Sequence, residues 1–255
     1  MLRRSILAAC LALAAGAAAA QSLPPLPGFI RDQGQLRAGV RCDQPPYGFR
    51  GPDGGFAGVE VEMARQMAAW AFGSADKIEM QCVTAENRIP QLNAKRVDLL
   101  IATLGVTPER ARVIDFSTAY RWGGSDMLVL KDSPIRQLDD VKTRTVIMLR
   151  GSTQALWFDA NMPGLNSLRL NTAADALQAL QQGRGDAYAH DAATLIVIAA
   201  RDPALRLVGE AFAVSDAAVG VRKNEPEWMA WINAALARMH AENLYVAWSE
   251  KWIPA

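Results

Sequence analysis

Neither sign of charge is in surplus: 27 Lys and Arg stand against 26 Asp and Glu, a formal net charge of +1. The electrostatic footprint of a nucleic-acid or anionic-membrane partner is therefore missing, and without charge runs the informative charges are single residues in particular places. Histidine is scarce, at two residues, and cysteine at three. No His/Cys/Asp cluster has metal-site spacing, so neither a metal nor another cofactor is expected. What remains, 51% hydrophobic and 21% charged residues over 255 positions, is an ordinary globular composition for one large domain or two modest ones.

The first twenty residues differ in kind. Arg3 and Arg4 form a short positive start, Ser5 to Gly16 are almost wholly apolar, and Ala18-Ala19-Ala20 offers a small-residue cleavage site before Gln21. This layout predicts a secretory signal peptide over 1–20 and export to the periplasm. The apolar run is too short for a membrane anchor. Leu7-Ala8-Ala9-Cys10 resembles a lipoprotein box, but too few residues precede the cysteine for a working signal. Apart from Cys10 the chain holds Cys42 and Cys82, each near the end of an expected strand. An even pair in an exported protein is a candidate disulfide, two buried thiols being the alternative.

Beyond a Pro-rich opening, strands and helices alternate. Gln35 to Val40 reads as a strand, and Val59, Met63, Met67 and Trp70 recur at helical spacing after the Gly51-Pro52-Asp53-Gly54-Gly55 turn. A strand over 77–83, a helix over 87–94 and a strand over 97–102 follow. The rhythm repeats with strands at 145–149, 168–170 and 186–189 and helices between them. Such alternation predicts crossover units and mainly parallel sheets, and two similar runs predict two lobes. The apolar segments 127–130 and 217–221 would carry the chain between lobes, with Gly123-Gly124 near the hinge. The last helical pattern, with Trp231, Leu236 and Met239, would pack back on the first lobe. Ligands of open parallel sheets bind beyond the carboxyl ends of the strands, so two facing lobes would share one cleft.

Thr107-Pro108-Glu109-Arg110 is a sharp local feature: a threonine cap, a proline at the first helical position and an acid in the first turn mark a helix start. Arg110 adds a planar guanidinium able to grip a carboxylate with two parallel hydrogen bonds. With Pro46-Tyr47-Gly48-Phe49, Gly58-Val59-Glu60-Val61-Glu62, Arg88-Ile89-Pro90-Gln91-Leu92, Asp115-Phe116-Ser117, Gly151-Ser152-Thr153 and Gly183-Arg184-Gly185-Asp186-Ala187, it resembles family 3 of the bacterial extracellular solute-binding proteins, which take polar amino acids. The matching stretches span almost the whole mature chain in the family's order. The resemblance implies a type II two-lobed α/β fold, with lobe 1 over 21–122 and 217–255 and lobe 2 over 123–216.

It also implies roles. Arg110 would bind the α-carboxylate of an amino acid, helped by Thr103 and the backbone at Gly105. Ser152 and Thr153 would close over the same group from the second lobe, and Asp191 would accept the α-ammonium. A zwitterion leaves water only when both charges find partners. At Asp191, a helix cap before Ala192 is equally good local chemistry. Arg41 stands where members that bind basic amino acids carry an acid, and Asn87-Arg88-Ile89-Pro90 is similar to glutamate/aspartate-binding members. Arg41 and Arg88 beside Arg110 would disfavour a cationic ligand, so an acidic amino acid is the preferred expectation. The alternative is a neutral polar solute such as glutamine, should Asp43 neutralise Arg41. His190 and His240 are read as a lone buried or surface histidine and a solvent-facing one.

The expected partners are the solute and the membrane permease of an ABC transporter, with the protein a monomer that closes on its ligand. No enzyme activity is expected. A dehydratase resembling those that act on prephenate or arogenate is the enzymatic alternative, since the same scaffold serves both. Delivery to a separate signalling receptor is a third reading.

Overall fold

The computed structural model describes residues 22–253. The leader expected over 1–20, with Cys10, lies outside the described residues. The helices are α1 Gly28–Arg31, α2 Val59–Phe72, α3 Arg88–Asn93, α4 Pro108–Ala111, α5 Thr153–Asn161, α6 Ala173–Gln181, α7 Ala192–Arg201, α8 Pro226–Ala241 and α9 Leu244–Trp252. The strands are β1 Leu36–Val40, β2 Asp43–Gln44, β3 Gly48–Arg50, β4 Phe56–Ala57, β5 Ile78–Cys82, β6 Leu99–Ile101, β7 Asp115–Leu130, β8 Val146–Leu149, β9 Ser167–Leu170, β10 Ala187–Asp191, β11 Leu205–Leu207 and β12 Phe212–Val221.

Local chemistry explains most of these boundaries. Val59, Met63 and Met67 of α2 are fully buried, and Gly73 ends the helix in the left-handed conformation that glycine adopts without strain. Thr107 accepts the Arg110 N–H at 3.2 Å, with Pro108 opening α4. Strand β8 is buried along its whole length, so it reads as a continuous apolar run rather than an alternation.

The main sheet has nine strands in the order β5-β1-β6-β12-β7-β10-β8-β9, with β11 paired to β7. Strand β1 runs parallel to β5 and β6, and β8 runs parallel to β10 and β9. The two parallel halves are joined by β7 and β12, which are antiparallel to each other. Strand β7 is 16 residues long; its first part pairs with 217–221 and its last part with β10 and β11. The segments expected as crossovers are thus continuous strands, and one sheet runs through both lobes. Gly123 and Gly124 lie mid-β7, where the β7–β12 register shifts. A small sheet of β2, β3 and β4, not foreseen, hangs beside β1.

Separate cores flank this sheet. Ala38, Met63, Ile101 and Val219 pack with Trp228 and Trp231 of α8, whose rings stack at 5.3 Å. Truncating either tryptophan to alanine would cost about 3–5 kcal/mol. In the other half, Met127, Met148 and Phe158 form one cluster, while Ile147, Leu180 and Tyr188 form another. Cys42 and Cys82 form a disulfide, their Cα atoms 5.5 Å apart, across a sequence separation of 40. Closing such a loop contributes about 2–4 kcal/mol in the loop-entropy view.

Candidate functional site

The carboxyl ends of β1 and β6 face those of β8 and β10 across a cavity. It is lined by Arg41, Arg88, Thr103 and Gly105 from one half and by Ser152, Thr153 and Asp191 from the other. Arg110 stands immediately behind Gly105, with Nη1 3.3 Å from where a Cβ on that glycine would lie. All eight residues expected at the site are brought to one cleft.

Arg110 closes the cleft. Nη1 donates to Gly105 O at 2.7 Å and to Thr153 Oγ1 at 3.1 Å, while Nη2 donates to Gly151 O at 2.9 Å. These bonds cross from α4 to the turn ahead of α5. Burial lowers the Arg110 pKa to about 10, which leaves it charged at neutral pH. Opposite it, Ser152 caps α5 by accepting the Ala155 N–H at 3.1 Å. The nine-residue α5 therefore aims its partial positive charge at the cavity.

Thr103 is held in an unusual state, with φ +49, in a region that non-glycine residues seldom occupy. Its N–H donates to both oxygens of Glu60, at 2.9 and 3.0 Å, and its hydroxyl donates to Gln44 Oε1 at 2.8 Å. Glu60 also accepts from the Tyr120 hydroxyl at 2.5 Å. Fully buried, its carboxyl is pushed up by desolvation. Glu60 thus joins α2, the turn that presents Thr103, and the crossover strand β7. It falls within the matched stretch 58–62, but only its three-dimensional partners reveal this task.

Asp191 lines the cavity, and the helix cap expected before Ala192 is formed: its Oδ1 accepts the Ala193 N–H at 3.2 Å. Its Oδ2, however, accepts from Arg121 Nη2 at 2.9 Å. The Arg121 guanidinium lies over the Tyr47 ring, 4.1 Å from its centroid. Burial works against this charge, but Asp191 and then Tyr47 more than offset it and hold the guanidinium well above its ordinary pKa. Sequence reasoning missed Arg121 because a single strand arginine between Tyr120 and Trp122 carries no motif.

At the far end of the cavity the structure departs from expectation. Arg41, 1% exposed, is paired with Asp43 through Nη2 at 2.8 Å and Nε at 3.1 Å. Arg88, 2% exposed, donates Nη1 to the carbonyls of Ala102 at 2.7 Å and Thr103 at 3.2 Å. Burial first, then the neighbouring Arg110 and Arg41, pulls its pKa well down. Of the two guanidinium groups expected to await a second carboxylate, Arg41 is already paired with a carboxylate, while Arg88 meets only carbonyls and keeps a buried Nε without a partner. His190 is drawn into the lining as well: its Nδ1 accepts the Asp191 N–H at 2.7 Å, which puts the proton on Nε2, and that nitrogen is buried without a partner. His240 is exposed, as expected.

A cleft between two α/β lobes joined by crossover strands is the architecture of a type II periplasmic binding protein. Residues 36–255 match the bacterial extracellular solute-binding proteins, family 3, and the chain belongs to that family. It is 36% identical to the glutamine-binding protein of Geobacillus stearothermophilus, over 76% of this chain and 75% of that protein. It is 30% identical to the L-cystine-binding protein TcyJ of Escherichia coli K12, over 89% and 85% of the two chains. Among solved structures, the solute receptor for L-cysteine of Neisseria gonorrhoeae superposes with a TM-score of 0.85 at 31% identity, covering 88% of this chain and 91% of that one.

Proposed function

We propose that this chain is the periplasmic binding component of an ABC-type uptake system and takes a polar amino acid with an uncharged side chain. The observation that carries the choice of solute is the pairing of Arg41 with Asp43. A second carboxylate would meet the Asp43 charge beside Arg41, whereas an amide or thiol would not. In this reading Gly105, Thr103, Ser152 and Thr153 receive the α-carboxylate, Arg110 joins them by exchanging its bonds to Thr153 and Gly151 for bonds to the solute, and Asp191 receives the α-ammonium beside Arg121. Neutral His190 donates Nε2–H toward the solute's side chain. The relatives named for glutamine and cysteine, at 36% and 31% identity, support the neutral reading over the acidic one.

Closure brings 123–216 onto 21–122 and 217–255, and the closed form is handed to the permease. A dehydratase would need an acid facing the cavity from an apolar wall. Of the buried carboxyls with a raised pKa, Glu60 is instead occupied by the Thr103 N–H and the Tyr120 hydroxyl, and Asp126 by the Met127 and Gly209 N–H groups. Calorimetric titration with glutamine, cysteine, cystine, glutamate and arginine tests the reading. Glutamine or a cysteine-type solute should bind most tightly. Tight glutamate binding with no heat from the neutral solutes would return the acidic reading, and product formed from prephenate would overturn the carrier.

A further inference from the structure

Asp43 lies on β2, two positions beyond Arg41, and its two oxygens face different ways. Oδ1 accepts both hydrogen bonds from the Arg41 guanidinium. Oδ2 accepts the backbone N–H of Ala173 at 3.0 Å. Ala173 is the first residue of α6, whose Ala176, Ala179 and Leu180 belong to a core of the other half of the molecule. One carboxylate therefore neutralises a cavity charge and spans the cleft.

Each bond answers a need. Arg41 is almost wholly buried, and a buried guanidinium requires a partner. At the start of α6 the Thr172 hydroxyl already serves the Asp175 N–H at 3.1 Å, which leaves the Ala173 N–H to Asp43. An anion at that helix start also meets the positive end of the helix dipole.

We infer that Asp43 sets the solute preference of the cleft and fastens it closed, an inference that rests on reading the cleft as an amino-acid site. A neutral solute leaves both Asp43 bonds intact. A solute with a second carboxylate competes with Asp43 for Arg41 and meets the Asp43 charge while doing so. Rejection of acidic solutes and closure of the lobes are thereby carried by the same side chain.

Two substitutions separate the tasks. Asp43→Asn retains an oxygen that accepts the Ala173 N–H but removes the charge; Asp43→Ala removes both. Each is titrated with glutamine, cysteine and glutamate, and small-angle scattering is recorded with and without solute. In Asp43→Asn the ratio of glutamate affinity to that of the better neutral solute should rise about tenfold or more, with compaction kept. In Asp43→Ala the ratio should rise likewise, with weaker binding of all solutes and less compaction. A ratio unchanged within about twofold in Asp43→Asn overturns the specificity role. Compaction of Asp43→Ala equal to that of the unsubstituted protein overturns the closing role. Should the unsubstituted protein bind none of the three, the amino-acid reading fails, while the ligand-free scattering of the three proteins still decides the closing role.

Discussion

The Arg121 guanidinium stands 2.9 Å from the Asp191 carboxylate, so the acid proposed to receive an ammonium already has a cation. Register explains the meeting. Asp191 sits opposite Ser125 in the antiparallel β10–β7 pair, and Arg121 lies a short way up the same strand. In the function proposed above, a solute's ammonium would replace or share this arginine as the partner of Asp191.

Arg121→Ala should therefore destabilise the ligand-free protein by on the order of 3 kcal/mol, since it strands a largely buried carboxylate. Solute binding should then raise Tm more than it does in the unsubstituted protein, because the ammonium replaces the missing cation. Calorimetric melting with and without glutamine measures both. Equal losses in the two conditions would show that the ammonium does not reach Asp191.

Arg110 serves three acceptors on both sides of the cleft with one planar group. Lysine is a single point of charge and cannot replace that fork. Arg110→Lys should weaken solute binding by about 2–5 kcal/mol in a calorimetric titration. A change smaller than about 1 kcal/mol would remove Arg110 from the binding machinery.

Gly151 packs its backbone closely against the other half. A Cβ there would lie 2.8 Å from Glu86 Cα and 2.9 Å from Ala85 O, and the residue's φ of +68 is one that alanine resists. The backbone strain of Gly151→Ala is about 1 kcal/mol, small beside the steric block to closure. The variant should fold, bind solute at least about tenfold more weakly, and keep an expanded scattering profile when solute is added. Full compaction would mean that the contact is not limiting.

His190 gives the fold a pH response. Burial, and after it the charge of Arg41, lowers its pKa from 6.5 to about 4. Between those values the unfolded chain binds more protons than the folded one, so this contribution is complete above pH 6.5 and is lost as pH falls toward 4. The gap corresponds to on the order of 3 kcal/mol. Urea unfolding from pH 7 to 4 should show this loss, and His190→Gln should lessen the slope. Identical slopes would place the sensitivity elsewhere.

Local order was legible from residue spacing because it depends on neighbours in sequence. The apolar periodicity of α2, the Thr107-Pro108 helix start and the alternation of strands and helices all appear within a residue or two of where they were expected. The Cys42–Cys82 bond was legible as a candidate because an even pair in an exported chain, each near an expected strand end, suggests one; Cys82 ends β5 and Cys42 lies two residues beyond β1, its parallel neighbour. The convergence of Arg41, Arg88, Thr103, Gly105, Arg110, Ser152, Thr153 and Asp191 on one cleft was legible only through resemblance. No spacing along the chain brings residue 110 to residue 153.

By itself the sequence determined the elements, their caps, the alternation that makes parallel sheets and the near balance of charge. Tertiary structure alone decided which charges remain free. Arg41 turns to Asp43, Arg88 to the carbonyls at the end of β6, and Arg121 to Asp191, because a guanidinium withdrawn from water takes whatever acceptor the packing places within reach. For Arg121 and Arg88 that choice is made by distances of about 3 Å between separate segments, and hydropathy and spacing carry no trace of it, whereas Arg41 and Asp43, near neighbours in the chain, could be paired from the sequence.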